Sequence, residues 1–245
     1  MDNYIQGLIA RMSDDSYRPG EKRDDQFMYE SQKTISWAAY EEARLLNNPA
    51  FFDELYAIID STDSTDVKRY AYFILGYNAK NAKDLNATAF LLKKLPKEEK
   101  RDILVVILDL LAELYKPREL DISYIYKLAS HRNWHIRSSA FRALTNSEER
   151  VEDFLIDKLI TTDKKDDIRP LLTSLMYVGT AKSIPYVEKH LKSRPPFVKS
   201  YSHNVLAVIM LREKFPFEEI QKKLKVSRDF VQTQFERLDI LTRTG

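Results

Sequence analysis

The sequence predicts an all-α fold, and three observations support that prediction. The chain of 245 residues contains only five glycines, whereas sheet proteins need glycine at tight turns and bulges. Ala, Leu, Lys, Glu and Arg supply much of the composition, and all five are good helix formers. The third observation is an apolar pattern of helical spacing that returns at near-constant intervals along the chain.

Six segments share this pattern, which has an apolar or small residue at +4 and +8 from its first position. That spacing places the three residues on one face of a helix. The first positions are separated by 30 to 36 residues, the range of two-helix solenoid repeats. They are Ile35, Val67, Ile103, Ile136, Ile168 and Val198.

A second amphipathic stretch lies between each two of these segments, and its apolar spacing predicts a helix of about three turns. Prolines fall at helix starts or between helices, where they are tolerated, at positions 49, 96, 117, 195 and 196. The stretch "DSTDSTD", residues 60–66, offers N-cap side chains before Val67. Gly179 follows a predicted helix end, where a left-handed residue is favoured.

The stretch "LMYVGTAKSIPYVEKHL", Leu175 to Leu191, resembles the joint between successive HEAT repeats. Pro185, Arg169 and Asp163 match the proline, basic and acidic positions of that family. The resemblance covers about residues 30–213. It implies an α-α superhelix, a right-handed HEAT-like solenoid of about six helix pairs. The helices with the repeated pattern would then line a concave binding face, one per pair.

The ends of the chain are expected to differ from this array. We predict an N-terminal helix and a flexible polar segment over 1–27, the repeat array over 28–213, and a capping helix pair over 214–245. Phe217 to Leu238 also resembles a helix-turn-helix, with Lys225 in place of the usual turn glycine. Its apolar positions are Ile220, Leu224, Val226 and Val231; Ser227 would cap the second helix, and Arg228, Asp229, Gln232 and Thr233 would face bases.

Charge and composition exclude several classes of protein. Basic and acidic residues nearly balance, at 39 against 37, although residues 1–60 carry −6 and residues 164–215 carry +6. This is weaker than the basic field of a dedicated nucleic-acid binder. Without cysteine there is no disulfide or thiol nucleophile, which fits a reducing cytoplasm. The longest apolar stretch, residues 103–115, is too short to span a membrane, and we expect no membrane partner.

The candidate binding residues are basic and aromatic. A basic residue follows the first apolar position in four segments, and in "NWHIRSSAFRAL" this residue, Arg137, is predicted to point away from the buried stripe of Ile136, Ala140 and Leu144. These basic side chains either pair with acidic neighbours between repeats or form a strip that binds anions. The two tryptophans would stack on a base or anchor a peptide. The set comprises Trp37, Lys68, Arg69, Trp134, Arg137, Arg169, Lys199 and Arg228.

No catalytic constellation is evident. His131 and His135 have metal-ligand spacing but no acidic residue within a turn. There is no glycine-rich phosphate loop and no nucleophile elbow. We therefore expect no catalytic residue, metal or cofactor, and a scaffold that holds a protein or peptide partner. DNA binding is the alternative. HEAT-like alkylpurine DNA glycosylases, whose helices "NWHIRSSAF" resembles, are a third reading, although their Trp-Trp-Asp stretch is missing here.

Overall fold

The computed structural model is all-helical over the residues that it describes, which are 4–14, 34–148 and 151–243, with side chains described up to Leu238. Most of the polar segment predicted within residues 1–27 lies outside these ranges. Among the described residues Lys116 and Ser147 form one isolated parallel bridge, and no strand occurs. The helices are α1 (Tyr4–Met12), α2 (Ile35–Leu45), α3 (Phe52–Ser61), α4 (Thr65–Ala82), α5 (Leu85–Lys94), α6 (Arg101–Glu113), α7 (Ser123–Leu128), α8 (Trp134–Ala143), α9 (Glu152–Thr161), α10 (Lys165–Val178), α11 (Ile184–Glu188), α12 (Pro196–Arg212), α13 (Phe217–Leu224) and α14 (Arg228–Arg243).

The six repeated segments all form helices, which confirms their predicted secondary structure. Their first positions lie within the first four residues of α2, α4, α6, α8, α10 and α12, and one further helix separates each successive pair. The +4 and +8 residues of every segment are buried. The first position varies more, because it lies at the helix end: Ile35 is 54 % exposed, whereas Ile136 is buried.

Local capping follows the sequence at several helix starts. The Ser64 hydroxyl accepts a hydrogen bond from the Val67 amide at 3.3 Å, as the run of capping residues predicted. The carboxylate of Asp84 accepts from Ala87 N in the same way at the start of α5. These bonds satisfy amide groups that have no partner within the helix.

Gly179 does not have the predicted left-handed conformation. It is extended, with φ −66° and ψ 140°, so its lack of a side chain has another cause. A Cβ at this position would lie 2.5 Å from the Leu175 carbonyl oxygen and 2.9 Å from Ile209 Cδ1. The lack of room for a side chain at the end of α10 therefore favours glycine here, and not a need for a left-handed backbone.

Two of the intervening helices are shorter than the predicted three turns. Helix α7 has six residues and α11 has five. Helix α11 lies between two 3-10 turns, and Pro185 occupies its second position. Around α11 the apolar spacing spans both the α-helix and the 3-10 turns, so it overstated the length of the α-helix.

The chain divides into two compact units, residues 1–114 and 115–245. In the first, α4 packs against α2 and α6, while α1, α3 and α5 also contact it. In the second, α10 packs between α8 and α12, and α12 contacts α13 and α14. The division falls inside the array predicted for 28–213; the boundaries at 27 and 213 stay predictions. No described helix has both the length and the apolar content needed to cross a membrane.

The two units carry opposite net charge. Residues 1–114 contain 15 basic and 20 acidic residues, a net charge of −5, and residues 115–245 contain 24 and 17, a net charge of +7. The basic excess of the chain therefore belongs to the second unit, which also contains Trp134, Arg169 and Lys199.

Candidate interaction groove

The second unit has a groove between α8, α10 and the start of α12. Its volume is about 330 Å³. We call it the Trp134–Phe197 groove, after its two exposed aromatic side chains. It is lined by Trp134, Ser138, Arg142, Lys165, Asp166, Arg169, Pro170, Thr173 and Phe197.

The exposed aromatic rings lie at helix starts, where no preceding turn covers them. Asn133 caps α8 through a bond from His135 N to its side-chain oxygen at 3.0 Å, so Trp134 is the first residue of the helix. The indole is 47 % exposed and stacks on the His135 ring at 3.7 Å. Phe197 follows Pro196 in the first turn of α12 and is 59 % exposed. Large apolar surface of this kind is where protein partners bind most tightly.

A buried ion pair joins α8 and α10, two of the three helices that line the groove. Nε of Arg137 lies 3.0 and 2.9 Å from the two Asp167 carboxylate oxygens, and Nη2 lies 2.8 Å from one of them. Nη1 donates to the backbone carbonyls of His131 and Arg132, both at 2.9 Å. Both side chains of the pair are buried. The pair therefore fixes the start of α8 against the first turn of α10, and so fixes the position of Trp134.

Arg137 pairs with an acidic neighbour on the next repeated helix, which is the first of the two alternatives given for the basic residues. Arg137 is 5 % exposed, because the carboxylate of Asp167 on the next repeated helix lies beside it. The adjacent stripe of Ile136, Ala140 and Leu144 is buried as predicted. With all its donor atoms engaged, the guanidinium positions the groove and has little surface to offer a ligand.

We call the four basic residues that follow a first apolar position the basic ladder: Lys68, Arg137, Arg169 and Lys199. Its members other than Arg137 fall into two groups. Lys68 lies 3.8 Å from the Glu98 carboxylate, 30 residues further along, which is also the separation of Arg137 and Asp167. Arg169 and Lys199 are exposed and form no ion pair with any described residue. The position 30 residues after Arg169 is Lys199 itself, so a basic residue stands where the earlier repeats have an acid. The ladder is therefore paired in its first two members and open in its last two.

The open cations surround the apolar centre of the groove. Lys165 and Arg169 are one turn apart on α10 and both line it. The guanidinium of Arg169 also lies 5.7 Å from the centre of the Tyr201 ring, whose hydroxyl lies 3.0 Å from Thr173 Oγ1. Lys199 is on α12 but does not line the groove. The groove thus brings together Trp134 and Arg169 from the predicted set.

The remaining predicted residues of the first unit lie on α2 and α4. Trp37 is 37 % exposed, and the Arg44 guanidinium lies 5.8 Å from its ring centre. Arg69 forms an ion pair with Asp66 at 3.2 Å and lies 5.0 Å from the centre of the Tyr70 ring. These contacts engage Arg69 locally. Lys68 is likewise engaged, by its ion pair with Glu98.

The turn between α13 and α14 has two local features that the helix-turn-helix resemblance predicted. Lys225 adopts a left-handed conformation, φ 55° and ψ 48°, at the position where glycine is usual. The Ser227 hydroxyl accepts from Phe230 N at 3.2 Å, which caps α14 as predicted. Three of the four predicted apolar positions, Ile220, Leu224 and Val231, are buried, and Val226 is half-buried.

The polar positions at the start of α14 are all exposed. They are Arg228, Asp229, Gln232 and Thr233, the residues predicted to face bases. Their exposure leaves this helix face accessible to a ligand. Gln234, further along the helix, is buried, and the Phe235 ring, 47 % exposed, packs edge-on against Phe217 with ring centres 5.7 Å apart.

The two histidines of the metal-like spacing have other contacts. His131 Nδ1 accepts from Asn133 N at 3.0 Å, in the turn before α8, and His135 stacks on Trp134. Within the described ranges, no three His, Cys, Asp or Glu residues are placed to hold a metal ion.

Sequence reasoning missed Lys165, Pro170 and Phe197 as groove residues. None of the three is a tryptophan or directly follows a first apolar position, the two features by which most candidates were chosen. One pattern pointed to Phe197: an aromatic residue directly after Pro195–Pro196 occupies the first turn of a helix, where side chains are often exposed. That the start of α12 lies beside the first half of α10 is a property of the packing alone.

Comparisons of the chain with protein-family models, with curated proteins and with solved structures find no match in any of the three.

Proposed function

We propose that this protein is a non-catalytic protein-interaction module built on HEAT-like helix pairs, and that a protein or peptide partner binds in the Trp134–Phe197 groove. Six regularly spaced segments that all form helices, each followed by a further helix, support the repeat architecture. The proposal places the module in the cytoplasm. A chain without cysteine has no disulfide to lose, so it is compatible with a reducing environment.

The observation that carries the proposal is the pair of exposed aromatic rings on one concave surface. Tryptophan and other aromatic residues are enriched among side chains that dominate binding energy, particularly where a pocket excludes water around them. The buried pair of Arg137 and Asp167 holds the groove in place before a partner arrives. A rigid groove lowers the entropy lost on binding.

The test is a selection from a displayed library of random peptides against the full-length protein. We expect peptides that bind the wild type and lose at least about tenfold in affinity to Trp134→Ala and to Phe197→Ala, which corresponds to about 1.4 kcal/mol each. Tyr177→Ala is the matched control, because Tyr177 is 47 % exposed on α10 but does not line the groove. A thermal melt checks that each variant is folded. If the library yields no peptide that depends on the groove, the proposal fails.

A second candidate function, sequence-specific DNA binding, is favoured by the geometry of α13 and α14. The left-handed turn at Lys225 and the Ser227 cap orient a second helix whose first polar residues are free of tertiary packing. In a helix-turn-helix such residues contact base edges in the major groove.

This second function is tested by selecting duplexes from a random DNA pool. Binding through α14 predicts a selected sequence, loss of about 1–3 kcal/mol on Arg228→Ala, and an affinity that falls steeply as salt rises. The control is Lys165→Glu, which changes the groove and not this helix pair. If no duplex is retained at low salt, or if Arg228→Ala binds as wild type, DNA reading by α14 is excluded.

A further inference from the structure

The Trp134–Phe197 groove combines an apolar centre with a basic edge. Trp134, Pro170 and Phe197 supply the apolar surface, and the basic side chains in the lining are Arg142, Lys165 and Arg169. Its volume, about 330 Å³, lies at the lower end of the range for ligand pockets. A groove of this size holds one large side chain with the backbone on either side of it.

The charge around the groove is unbalanced. Lys165 and Arg169 form no ion pair with a described residue, and Asp166 is the one described carboxylate that lines the groove. The unit that contains the groove carries a net charge of +7. An anionic partner therefore gains from the two nearby cations and from the longer-range field of the unit.

Peptide fits this surface better than a nucleic-acid strand. Pro170 lacks the N–H that would bond to the Asp166 carbonyl one turn earlier in α10, so that helix carbonyl can accept a bond from a ligand. A peptide backbone offers N–H donors, whereas a phosphodiester backbone offers only acceptors. The Asp166 carboxylate, which also lines the groove, repels any anionic ligand, so the carboxylates of a bound peptide should lie toward Lys165 and Arg169.

We infer that the groove binds an acidic peptide segment that carries one bulky apolar side chain, with the side chain between Trp134 and Phe197 and the flanking carboxylates on Lys165 and Arg169. The inference rests on the proposed protein-binding function and names the class of its ligand.

The direct test measures fluorescence anisotropy with full-length protein and four labelled probes. They are the peptide EEDWEED, the same peptide with Ala in place of Trp, the sequence KKNWKKN, and an oligothymidine. We expect the acidic Trp peptide to bind best, and its affinity to fall as salt is raised from about 0.05 to 0.5 M, since exposed charges are screened over this range. Replacing its Trp by Ala should weaken it at least about tenfold.

Charge variants of the protein identify the binding surface. Lys165→Glu and Arg169→Glu should each weaken the acidic peptide about fivefold to tenfold, and Asp166→Asn should strengthen it. Lys164→Glu is the matched control, because Lys164 is exposed and adjacent but does not line the groove.

The outcomes separate the inference from the function on which it rests. No measurable binding of the acidic Trp peptide at low salt, or equal loss in Lys164→Glu and Lys165→Glu, overturns the inference. If library peptides depend on Trp134 but are neutral or basic, the ligand class is wrong and the protein-binding function stands. If oligothymidine binds through Lys165 and Arg169 while no peptide does, both are wrong.

Discussion

Arg137 and Arg169 occupy the same position of the repeated pattern, yet their environments are opposite. Arg137 is buried and bonded to Asp167, whereas Arg169 is exposed beside Tyr201. The difference comes from the residue 30 positions later, an aspartate in one case and Lys199 in the other. Burying a guanidinium is tolerated only where a carboxylate and further acceptors compensate its lost hydration. The same residue type therefore stabilises the fold in one repeat and remains available to a ligand in the next.

Removal of the Arg137 side chain should destabilise the protein strongly. Arg137→Met leaves the Asp167 carboxylate buried without its partner, and we expect a loss of about 3–5 kcal/mol in the free energy of unfolding. The double variant Arg137→Met/Asp167→Leu should recover most of that loss, because no charge remains buried. Lys68→Met, which breaks a longer and more exposed pair, should cost about 1 kcal/mol or less. Urea unfolding measures the stability of all three variants. An Arg137→Met protein as stable as the wild type would contradict the role assigned to the Arg137–Asp167 pair.

At the scale of the helices, two glycines in helix interiors have different roles. A Cβ on Gly76 of α4 would lie 2.5 Å from Leu110 Cδ2 of α6, so the two helices approach closely at this point. Gly7 of α1 has no described atom outside its own helix within 4 Å of the place a Cβ would occupy. Both glycines lie inside helices, but only at Gly76 does the missing side chain allow close packing against another helix.

These two glycines give a prediction of opposite sign. Gly76→Ala should destabilise the protein by about 1–3 kcal/mol, because α4 and α6 must separate or Leu110 must leave its rotamer. Gly7→Ala should stabilise α1 by about 0.5–1 kcal/mol through helix propensity alone. Thermal unfolding of both variants measures the signs. A stabilised Gly76→Ala protein would show that α4 and α6 are not in close contact.

The first helix is held to the next one by charged and polar contacts. Arg11 donates two hydrogen bonds to the Glu42 carboxylate, at 2.7 and 3.0 Å, and the Tyr4 hydroxyl donates a third at 2.7 Å. The hydrogen bonds from Arg11 and Tyr4 lower the pKa of Glu42 below its ordinary 4.5. Partial burial and the bond to Glu42 raise the pKa of Tyr4 to about 12.

Acid should therefore loosen α1. Because the pKa of Glu42 is lower in the folded state, its contribution to stability is fully present above about pH 4.5 and is lost as pH falls through the folded pKa. After correction for the pH dependence of the intrinsic exchange rate, amide exchange in α1 should be faster below pH 4 than near neutral pH. Glu42→Gln should remove that pH-dependent part while exchange in α10 stays unchanged. Equal pH dependence in the variant and the wild type would show that another group is responsible.

At the scale of the whole molecule, the chain divides into two compact units of opposite charge. In each unit the repeated helices contact their neighbours in sequence, as α2, α4 and α6 do in the first and α8, α10 and α12 in the second. Where each helix contacts mainly its neighbours in sequence, a perturbation is expected to reach the adjacent helices first.

Local destabilisation should therefore stay mainly within one unit. Arg137→Met should raise amide exchange in α8, α10 and α12 by at least about tenfold more than in α2 and α4, and Gly76→Ala should give the reverse pattern. Hydrogen exchange followed by mass spectrometry resolves the two units. A uniform increase along the chain in both variants would show that the protein unfolds as one cooperative body.

The sequence by itself determined the helical class, the positions of the six repeated helices and their buried +4 and +8 residues, because these depend on spacing within one helix. It also determined local caps such as Ser64 and Ser227, which act over three residues. Only the tertiary structure decided which basic residues are buried, that α7 and α11 are short, and that Phe197 faces Trp134 and Arg169 across a groove. Those features depend on how one helix is placed against another, and helix spacing alone does not specify which side chains meet between elements some 30 residues apart in the sequence.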